Sequence, residues 1–171
     1  ANGRLLMTQD ASGERRWALY DEAGRKVADI DADGSLTEYR YNRNNLLTST
    51  VTYAARVDTS ALVNGAGLPL NPSLEQVLAQ VGQVGSGSNR YTWQAYDAAN
   101  RLVKTVDAQG FVTEVEYDGA SRVIARRQFA SPIATTALGD HPAASDIAPV
   151  ASAADRVTRK FYSADGLLTS E

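Results

Sequence analysis

Hydrophobic and polar residues alternate along this chain in runs of six or seven, the usual length of a β-strand. Runs such as 102–106 and 111–117 are rich in Val, Thr, Phe and Tyr, the residue types that strands favour. The five Pro and thirteen Gly lie in turns or in longer connecting segments, never inside a run. The pattern therefore predicts paired β-strands joined by short turns.

The turns recur at regular intervals. A Tyr-Asp pair, or a close variant of it, appears five times, and a small or turn-prone residue follows each tyrosine four positions later. The five tyrosines are separated by 21, 55, 21 and 45 residues. The repeat is therefore 21 residues long, and two copies carry insertions, at about 54–88 and 130–155. The positions expected to define the repeat are Tyr20, Asp21, Gly24, Tyr41, Tyr96, Asp97, Tyr117, Asp118 and Tyr162.

Turn chemistry explains these positions. An Asp at the start of a turn accepts hydrogen bonds from backbone amides two residues on, and a Gly three residues later adopts a left-handed conformation at little cost. This predicts a type I turn followed by a one-residue bulge. The second and sixth positions after each turn, for example Leu102 and Val106, have the same parity and are expected to share a sheet face.

The two insertions are related to each other. They begin alike, at Tyr53 and Phe129, which gives a longer repeat of 76 residues. The first insertion is expected to hold a helix over 72–81, with Asn71 as its cap and Pro72 in its first turn, followed by a glycine-rich return at 82–88. Two interpretations stay open: the insertions cover the sheet, or they are recognition loops.

The units at 20–25 (Tyr-Asp-Glu-Ala-Gly-Arg) and 96–101 (Tyr-Asp-Ala-Ala-Asn-Arg) resemble the YD repeats of the RHS-repeat family. The resemblance implies an all-β fold of stacked antiparallel hairpins forming an open, twisted, spiralling sheet, with the two insertions added. It also implies a secreted or cell-surface location. In bacterial RHS proteins and toxin-complex subunits the sheet forms a hollow shell around a toxic domain, and in teneurins a related shell serves adhesion.

Composition narrows the functional classes. The chain has 17 Lys and Arg against 20 Asp and Glu, so no basic excess favours nucleic acid, and no apolar run is long enough for membrane insertion. There is no Cys and one His, His141, which excludes disulfides, thiolate nucleophiles and multi-histidine metal sites. No nucleophile or acid–base set emerges, so the chain is not expected to be an enzyme. Because the only Met is Met7, the chain is expected to be a piece of a larger protein.

One candidate metal site is present. Asp29, Asp31 and Asp33 alternate as in calcium-binding loops, and alternating acids can present several oxygens to one cation. The twelfth position of such a loop should be Glu and is Arg40 here. The alternative is the repeat's own Asp-x-x-Gly turn. Apart from calcium, no cofactor is expected.

A second candidate site is an aromatic platform for carbohydrate, since aromatic faces stack on the apolar faces of sugars. Ordinary packing between hairpins is the alternative. The residues concerned are Trp17, Trp93, Tyr39, Tyr91 and Tyr53.

Two functional hypotheses follow. In the first, the chain is a scaffold segment of a large exported bacterial YD-repeat protein, and it encloses or displays another domain, such as a toxin. Its partners are then the rest of the repeat array and that domain. In the second, it is an adhesin-type module that binds surface carbohydrate or a cell-surface protein through its insertions and aromatic positions.

Overall fold

A computed structural model describes residues 6–81 and 88–171. Strands β1 to β10 are hydrogen-bonded in chain order into one open antiparallel sheet, and β11 pairs with β12. The predicted all-β, open antiparallel fold is therefore confirmed. The strands are β1 (Met7–Gln9), β2 (Arg15–Tyr20), β3 (Lys26–Ile30), β4 (Ser35–Tyr41), β5 (Leu47–Arg56), β6 (Arg90–Tyr96), β7 (Leu102–Val106), β8 (Val112–Tyr117), β9 (Val123–Gln128), β10 (Arg156–Arg159), β11 (Phe161–Tyr162) and β12 (Leu168–Ser170).

The turns after the tyrosines have the predicted geometry. The Gly24 amide donates to the Asp21 carbonyl at 3.0 Å, and Gly24 has a φ of +86°. The Asp21 amide donates to the Arg25 carbonyl at 3.0 Å, so Gly24 and Arg25 both lie opposite Asp21, which is the predicted bulge. A second bulge, which the sequence did not predict, follows it: Tyr20 pairs with Lys26, whereas Leu19 pairs with Ala28. Asn100 and Ser121 take the same left-handed conformation, at φ of 60° and 61°.

The equivalent second bulge after the next Tyr-Asp turn of this kind, in β7, overturns the prediction about sheet faces. Leu102 pairs with Tyr96, whereas Val106 pairs with Trp93. Because Tyr96 and Trp93 are three residues apart, their side chains lie on opposite faces of β6. The expectation that Leu102 and Val106 share a face is therefore wrong, since the bulge inserts one unpaired residue, Val103, between them. Within each unit we call the sheet face that carries its tryptophan the core face and the other the tyrosine face.

Contacts divide the chain into two compact units, residues 1–40 with 50–91 and residues 41–49 with 92–171. In the first unit, alternate residues of β2, β3 and β4 form the core face and pack against the first insertion. The buried side chains from the sheet are Trp17, Leu19, Ala28, Ile30 and Leu36, and those from the insertion are Val57, Leu62, Val77 and Val81. The first insertion thus covers the core face of its own unit.

The first insertion contains a 3₁₀ helix (Thr59–Leu62) and the helix α1 (Leu74–Val81). The helix begins at Leu74, not at 72, and its cap is Ser73 instead of Asn71. Ser73 Oγ accepts from the Gln76 amide at 3.2 Å, and Gln76 Oε1 accepts from the Ser73 amide at 2.8 Å, which is a reciprocal capping box. The glycine-rich return at 82–87 lies outside the described residues. No helix in the described part of the chain has the length and apolarity to cross a membrane.

In the second unit, hydrogen bonds as well as apolar contacts hold the second insertion against the core face. Trp93, which is 5% exposed, donates from Nε1 to the Gly139 carbonyl at 3.1 Å. Lys104 Nζ, also on the core face, donates to the carbonyls of Ala144 at 3.0 Å and Ile147 at 2.8 Å. The second insertion, which consists of turns and irregular segments, is thereby tied to β6 and β7.

Candidate functional site

The residues that define the repeat form a contact between neighbouring hairpins, which we call the repeat lock. It has two parts: the hydroxyl of a repeat tyrosine donates to a carbonyl just after the preceding turn, and the arginine of that turn lies over the tyrosine ring. In the second unit, Tyr117 donates to the Leu102 carbonyl at 2.9 Å. The Arg101 guanidinium lies 4.9 Å from the centre of the Tyr117 ring, within the range of a cation–π interaction.

The lock recurs along the second unit. Tyr162 donates to the Val123 carbonyl at 3.0 Å, and the Arg122 guanidinium lies 4.7 Å from the Tyr162 ring centre. Tyr96 donates to the Leu47 carbonyl at 2.8 Å. Each tyrosine thus contacts the hairpin before it.

The aspartate of each turn positions the arginine of the lock. Asp97 Oδ1 accepts from the Ala99 and Arg101 amides at 2.9 Å, while Oδ2 accepts from Arg101 Nε at 2.7 Å. These bonds, led by that from the Arg101 backbone, hold the pKa of Asp97 below its usual range. The same pairing joins Asp118 to Arg122 at 2.7 Å.

The spacing of the repeat predicted the tyrosines and aspartates but indicated no role for the arginines. A signal was present, because Arg25, Arg101 and Arg122 each directly follow the left-handed residue of their turn. What the local pattern could not show is that the guanidinium reaches a distant ring, 16 residues further along the chain for Arg101 and 40 residues further for Arg122.

Each insertion is held at its neck by a close backbone contact with a glycine turn. The Val57 amide donates to the Gly34 carbonyl at 2.8 Å, and 76 residues later the Ile133 amide donates to the Gly110 carbonyl at 2.9 Å. Both glycines have positive φ, +81° and +90°. A Cβ on Gly34 would lie 2.3 Å from the Val57 carbonyl oxygen, and one on Gly110 would lie 2.5 Å from that of Ile133. Only glycine fits at either neck.

A buried carboxylate lies on the core face of the first unit. Glu38 is 6% exposed and accepts from the Tyr53 hydroxyl at 2.6 Å. Arg40 donates to its two oxygens at 3.0 and 2.8 Å. Burial, and then the adjacent Glu38 carboxylate, raise the pKa of Tyr53. Because both carboxylate oxygens are engaged, this group holds β4 and β5 together.

The candidate carbohydrate residues are divided between the two units and differ in burial. Trp17 and Trp93 are 6% and 5% exposed and belong to the cores of different units. Tyr53 lies on the core face of the first unit, whereas Tyr39 lies on its tyrosine face. Tyr91, near the start of β6, is half-buried.

The three candidate calcium ligands each have a cationic partner of their own. Asp29 forms an ion pair with Lys26 at 2.7 Å. Asp31 forms one with Arg16 at 3.5 Å, and Asp33 forms one with Arg56. Within residues 6–81 and 88–171, no three or more His, Cys, Asp or Glu side chains are arranged to hold a metal ion.

His141 lies in the second insertion. Its Nδ1 is 2.7 Å from the hydroxyl oxygen of Thr48, a buried residue of β5. The contact adds to the bond from Trp93 to Gly139 in fixing this stretch of the insertion.

Comparison with known proteins finds a family match in two segments of the chain. The RHS-repeat family model matches residues 20–57 and 96–130. No curated protein sequence matches the chain. Among solved structures, the crystal structure of TcdB2-TccC3-Cdc42 and the structure of the Photorhabdus luminescens Tc holotoxin pore are similar to it at 14% identity and a TM-score of 0.34. The matches cover 95% and 97% of this chain, which spans 9% of the length of each of those chains.

Proposed function

We propose that this RHS-repeat chain is a scaffold segment of a large exported protein, in which the stacked hairpins enclose or display another domain, such as a toxin. The RHS repeats themselves make it a structural repeat region. Its export, its partner domain and the lack of catalysis are parts of this proposal.

The observation that carries the proposal is the repeat lock. The side chains that recur most regularly are engaged with a neighbouring hairpin: Tyr117 bonds to the Leu102 carbonyl, and Arg101, which Asp97 positions, lies over the Tyr117 ring. A repeat that uses its recurring polar groups in this way gains stability from each neighbour it adds. Such coupling between neighbouring hairpins is suited to an extended structural array and less suited to a reactive site.

Limited proteolysis of the full-length parent protein tests the proposal. A Tyr117→Leu, Arg101→Gln variant removes one lock, and Arg159→Gln, an exposed charge change on β10, is the control. If the array holds a partner domain, protease sensitivity of that domain or of its junction with the array rises in the lock variant and stays unchanged in the control. A parent with no further domain, or an unchanged cleavage pattern in the lock variant, would overturn the proposal.

A further inference from the structure

The first insertion contains a turn of the same kind as the Asp-x-x-Gly turns of the repeat. The Asn64 amide donates to the Leu68 carbonyl at 2.9 Å, and the Gly67 amide donates to the Asn64 carbonyl at 2.8 Å. Gly67 has a φ of +75°, in the left-handed region like the last glycine of the repeat's turns. The first two residues differ, because they are Asn64 and Gly65 where the turns at 10–13, 31–34 and 107–110 have Asp and Ala.

The side-chain carbonyl of Asn64 is polarised by two backbone amides. Asn64 Oδ1 accepts from the Ala66 and Leu68 amides, each at 3.0 Å. Two amide donors on one carbonyl oxygen form the arrangement of an oxyanion hole, which stabilises the negative charge that develops when a nucleophile adds to the carbonyl carbon. Because Oδ1 reaches forward along the chain, the carboxamide is folded over the peptide bond that follows it.

The nucleophile next to this carbonyl is the Gly65 nitrogen. Among the described residues, the Gly65 amide donates no hydrogen bond, and Nδ2 of Asn64 has no partner. Gly65 has no side chain to hinder its nitrogen, and a Cβ at this position would meet nothing within 4 Å. Its φ is not left-handed, so the turn itself does not require a glycine here.

We infer that Asn64 is a site of self-deamidation, in which the amides of its own turn activate the side chain and water is the only co-reactant. The Gly65 nitrogen adds to Asn64 Cγ, and its proton passes through solvent to Nδ2. The Cγ–Nδ2 bond then breaks and Nδ2 leaves as ammonia. Water opens the resulting cyclic imide, at Cγ to give an aspartyl residue or at the main-chain carbonyl to give an isoaspartyl link.

The two products change the turn differently. An aspartyl residue at position 64 restores the first residue of the repeat's own turn and keeps both bonds to Oδ1. Its negative charge is placed in a turn that lies beside Arg15, whose Nη2 would be 3.2 Å from a Cβ on Gly67. An isoaspartyl link lengthens the main chain by one methylene, which disrupts the turn and the bridge between Val63 and Pro69 on either side of it. The inference is independent of the scaffold proposal, because the reaction needs no partner.

Two other turns separate the contributions of the carboxamide and the glycine. Asn42 makes the same two side-chain bonds to backbone amides, but Arg43 follows it. Asp118 is followed by Gly119, but its carboxylate is bound to the guanidinium of its own turn and is a poor electrophile. Of the two Asn-Gly pairs in the sequence, only the pair at 64–65 is described, since the pair at 2–3 lies outside the described residues.

Peptide mapping by mass spectrometry tests the inference on the whole chain, held at physiological temperature in mildly alkaline buffer. Deamidation is scored by the mass gained when an amide becomes an acid, and isoaspartate by labelling with isoaspartyl methyltransferase. The test variant is Gly65→Ala, and the matched control is Gly119→Ala, because a Cβ at either position meets nothing within 4 Å. Circular dichroism establishes that both variants keep the sheet. The chain unfolded in urea keeps the sequence and loses the turn.

We expect Asn64 to deamidate faster than any other described asparagine, and about tenfold more slowly in Gly65→Ala, because a Cβ restricts the main-chain rotation that brings the nitrogen to Cγ. Gly119→Ala should leave the rate at Asn64 unchanged. The folded chain should react about tenfold faster than the unfolded chain, which is less than buried donors give in an enzyme because this turn is exposed.

Three results would each overturn the inference. The first is deamidation of Asn42 as fast as that of Asn64, which would remove the role of the glycine. The second is an unchanged rate in Gly65→Ala. The third is a rate in the folded chain equal to or below that of the unfolded chain, because the amides of the turn would then not activate the carboxamide.

Discussion

The neck of the first insertion gives a sharp test of the packing, through the substitution Gly34→Ala. Gly34 and Gly13 occupy equivalent Asp-x-x-Gly turns and have similar left-handed conformations, at φ of +81° and +89°. Their surroundings differ. A Cβ on Gly13 meets only the Gln9 side chain, at 3.8 Å, whereas one on Gly34 lies 2.3 Å from the Val57 carbonyl oxygen.

The difference can be expressed as free energy of unfolding. Either alanine costs about 1–2 kcal/mol for the left-handed backbone. Gly34→Ala also forces Val57 outward, which breaks the Val57–Gly34 hydrogen bond, worth about 1 kcal/mol, and exposes a side chain that is 4% exposed. Full exposure of a valine costs about 1.5–3 kcal/mol. We therefore expect a loss of about 3.5–6 kcal/mol for Gly34→Ala and about 1–2 kcal/mol for Gly13→Ala.

Thermal unfolding followed by circular dichroism measures both variants. At about 2–4 °C per kcal/mol for a protein of this size, Gly34→Ala should lower the midpoint by roughly 10 °C and Gly13→Ala by a few degrees. Gly110→Ala, at the second neck, should resemble Gly34→Ala, because its Cβ would lie 2.5 Å from the Ile133 carbonyl oxygen. Equal midpoints for Gly34→Ala and Gly13→Ala would refute the conclusion that the neck is closed by contact.

Three further predictions concern the second unit. Tyr117→Phe removes the hydroxyl bond to Leu102 and should cost about 1 kcal/mol, measured by urea unfolding. The pKa of Asp118 is lowered in the folded protein, so the stability it contributes is present above its unfolded pKa and is lost as the pH falls through its folded pKa. Asp118→Asn should therefore lose less stability than the unchanged protein when the pH falls from about 5 to 2. Lys104→Met leaves two carbonyls of the second insertion without their donor, so hydrogen exchange should quicken in 139–155 and stay slow in β8.

The control for Tyr117→Phe is Tyr91→Phe, which removes a hydroxyl from a tyrosine outside the repeat positions. Equal losses of unfolding free energy in the two variants would remove any special role for the lock. For Asp118→Asn, the turn itself should be kept, because an uncharged amide makes the same backbone bonds at Asn42. Its Oδ1 accepts from the Asn44 and Leu46 amides. An unchanged pH profile in Asp118→Asn would assign the acid sensitivity to other carboxyls. Uniform exchange across the unit in Lys104→Met would indicate global destabilisation.

The turns were predictable because their chemistry is local. An Asp or Asn that caps its own turn and a residue that tolerates positive φ lie within five positions of each other, so the sequence alone places the turn and its bulge. Asn100 and Ser121 replace glycine in that left-handed position and still keep the geometry.

The side-chain partners were not predictable, because they depend on contacts between distant residues. The expectation for Leu102 and Val106 failed since a bulge changes parity, and parity cannot be carried across an unpaired residue. Glu38 looks like a surface residue by its type, yet Arg40 and Tyr53 make its burial possible. The candidate carbohydrate residues were chosen by type as well, and burial separates Trp17 from any surface.

The repeat lock is tested most directly by a double-mutant cycle between Arg101 and Tyr117, using Arg101→Gln, Tyr117→Leu and the combination, with unfolding free energies from urea denaturation. If neighbouring hairpins are coupled through these side chains, the two substitutions are non-additive by about 0.5–1 kcal/mol, the worth of a cation–π contact near the surface. Additivity within about 0.3 kcal/mol would contradict the account, because the recurring arginine and tyrosine would then stabilise their own hairpins independently.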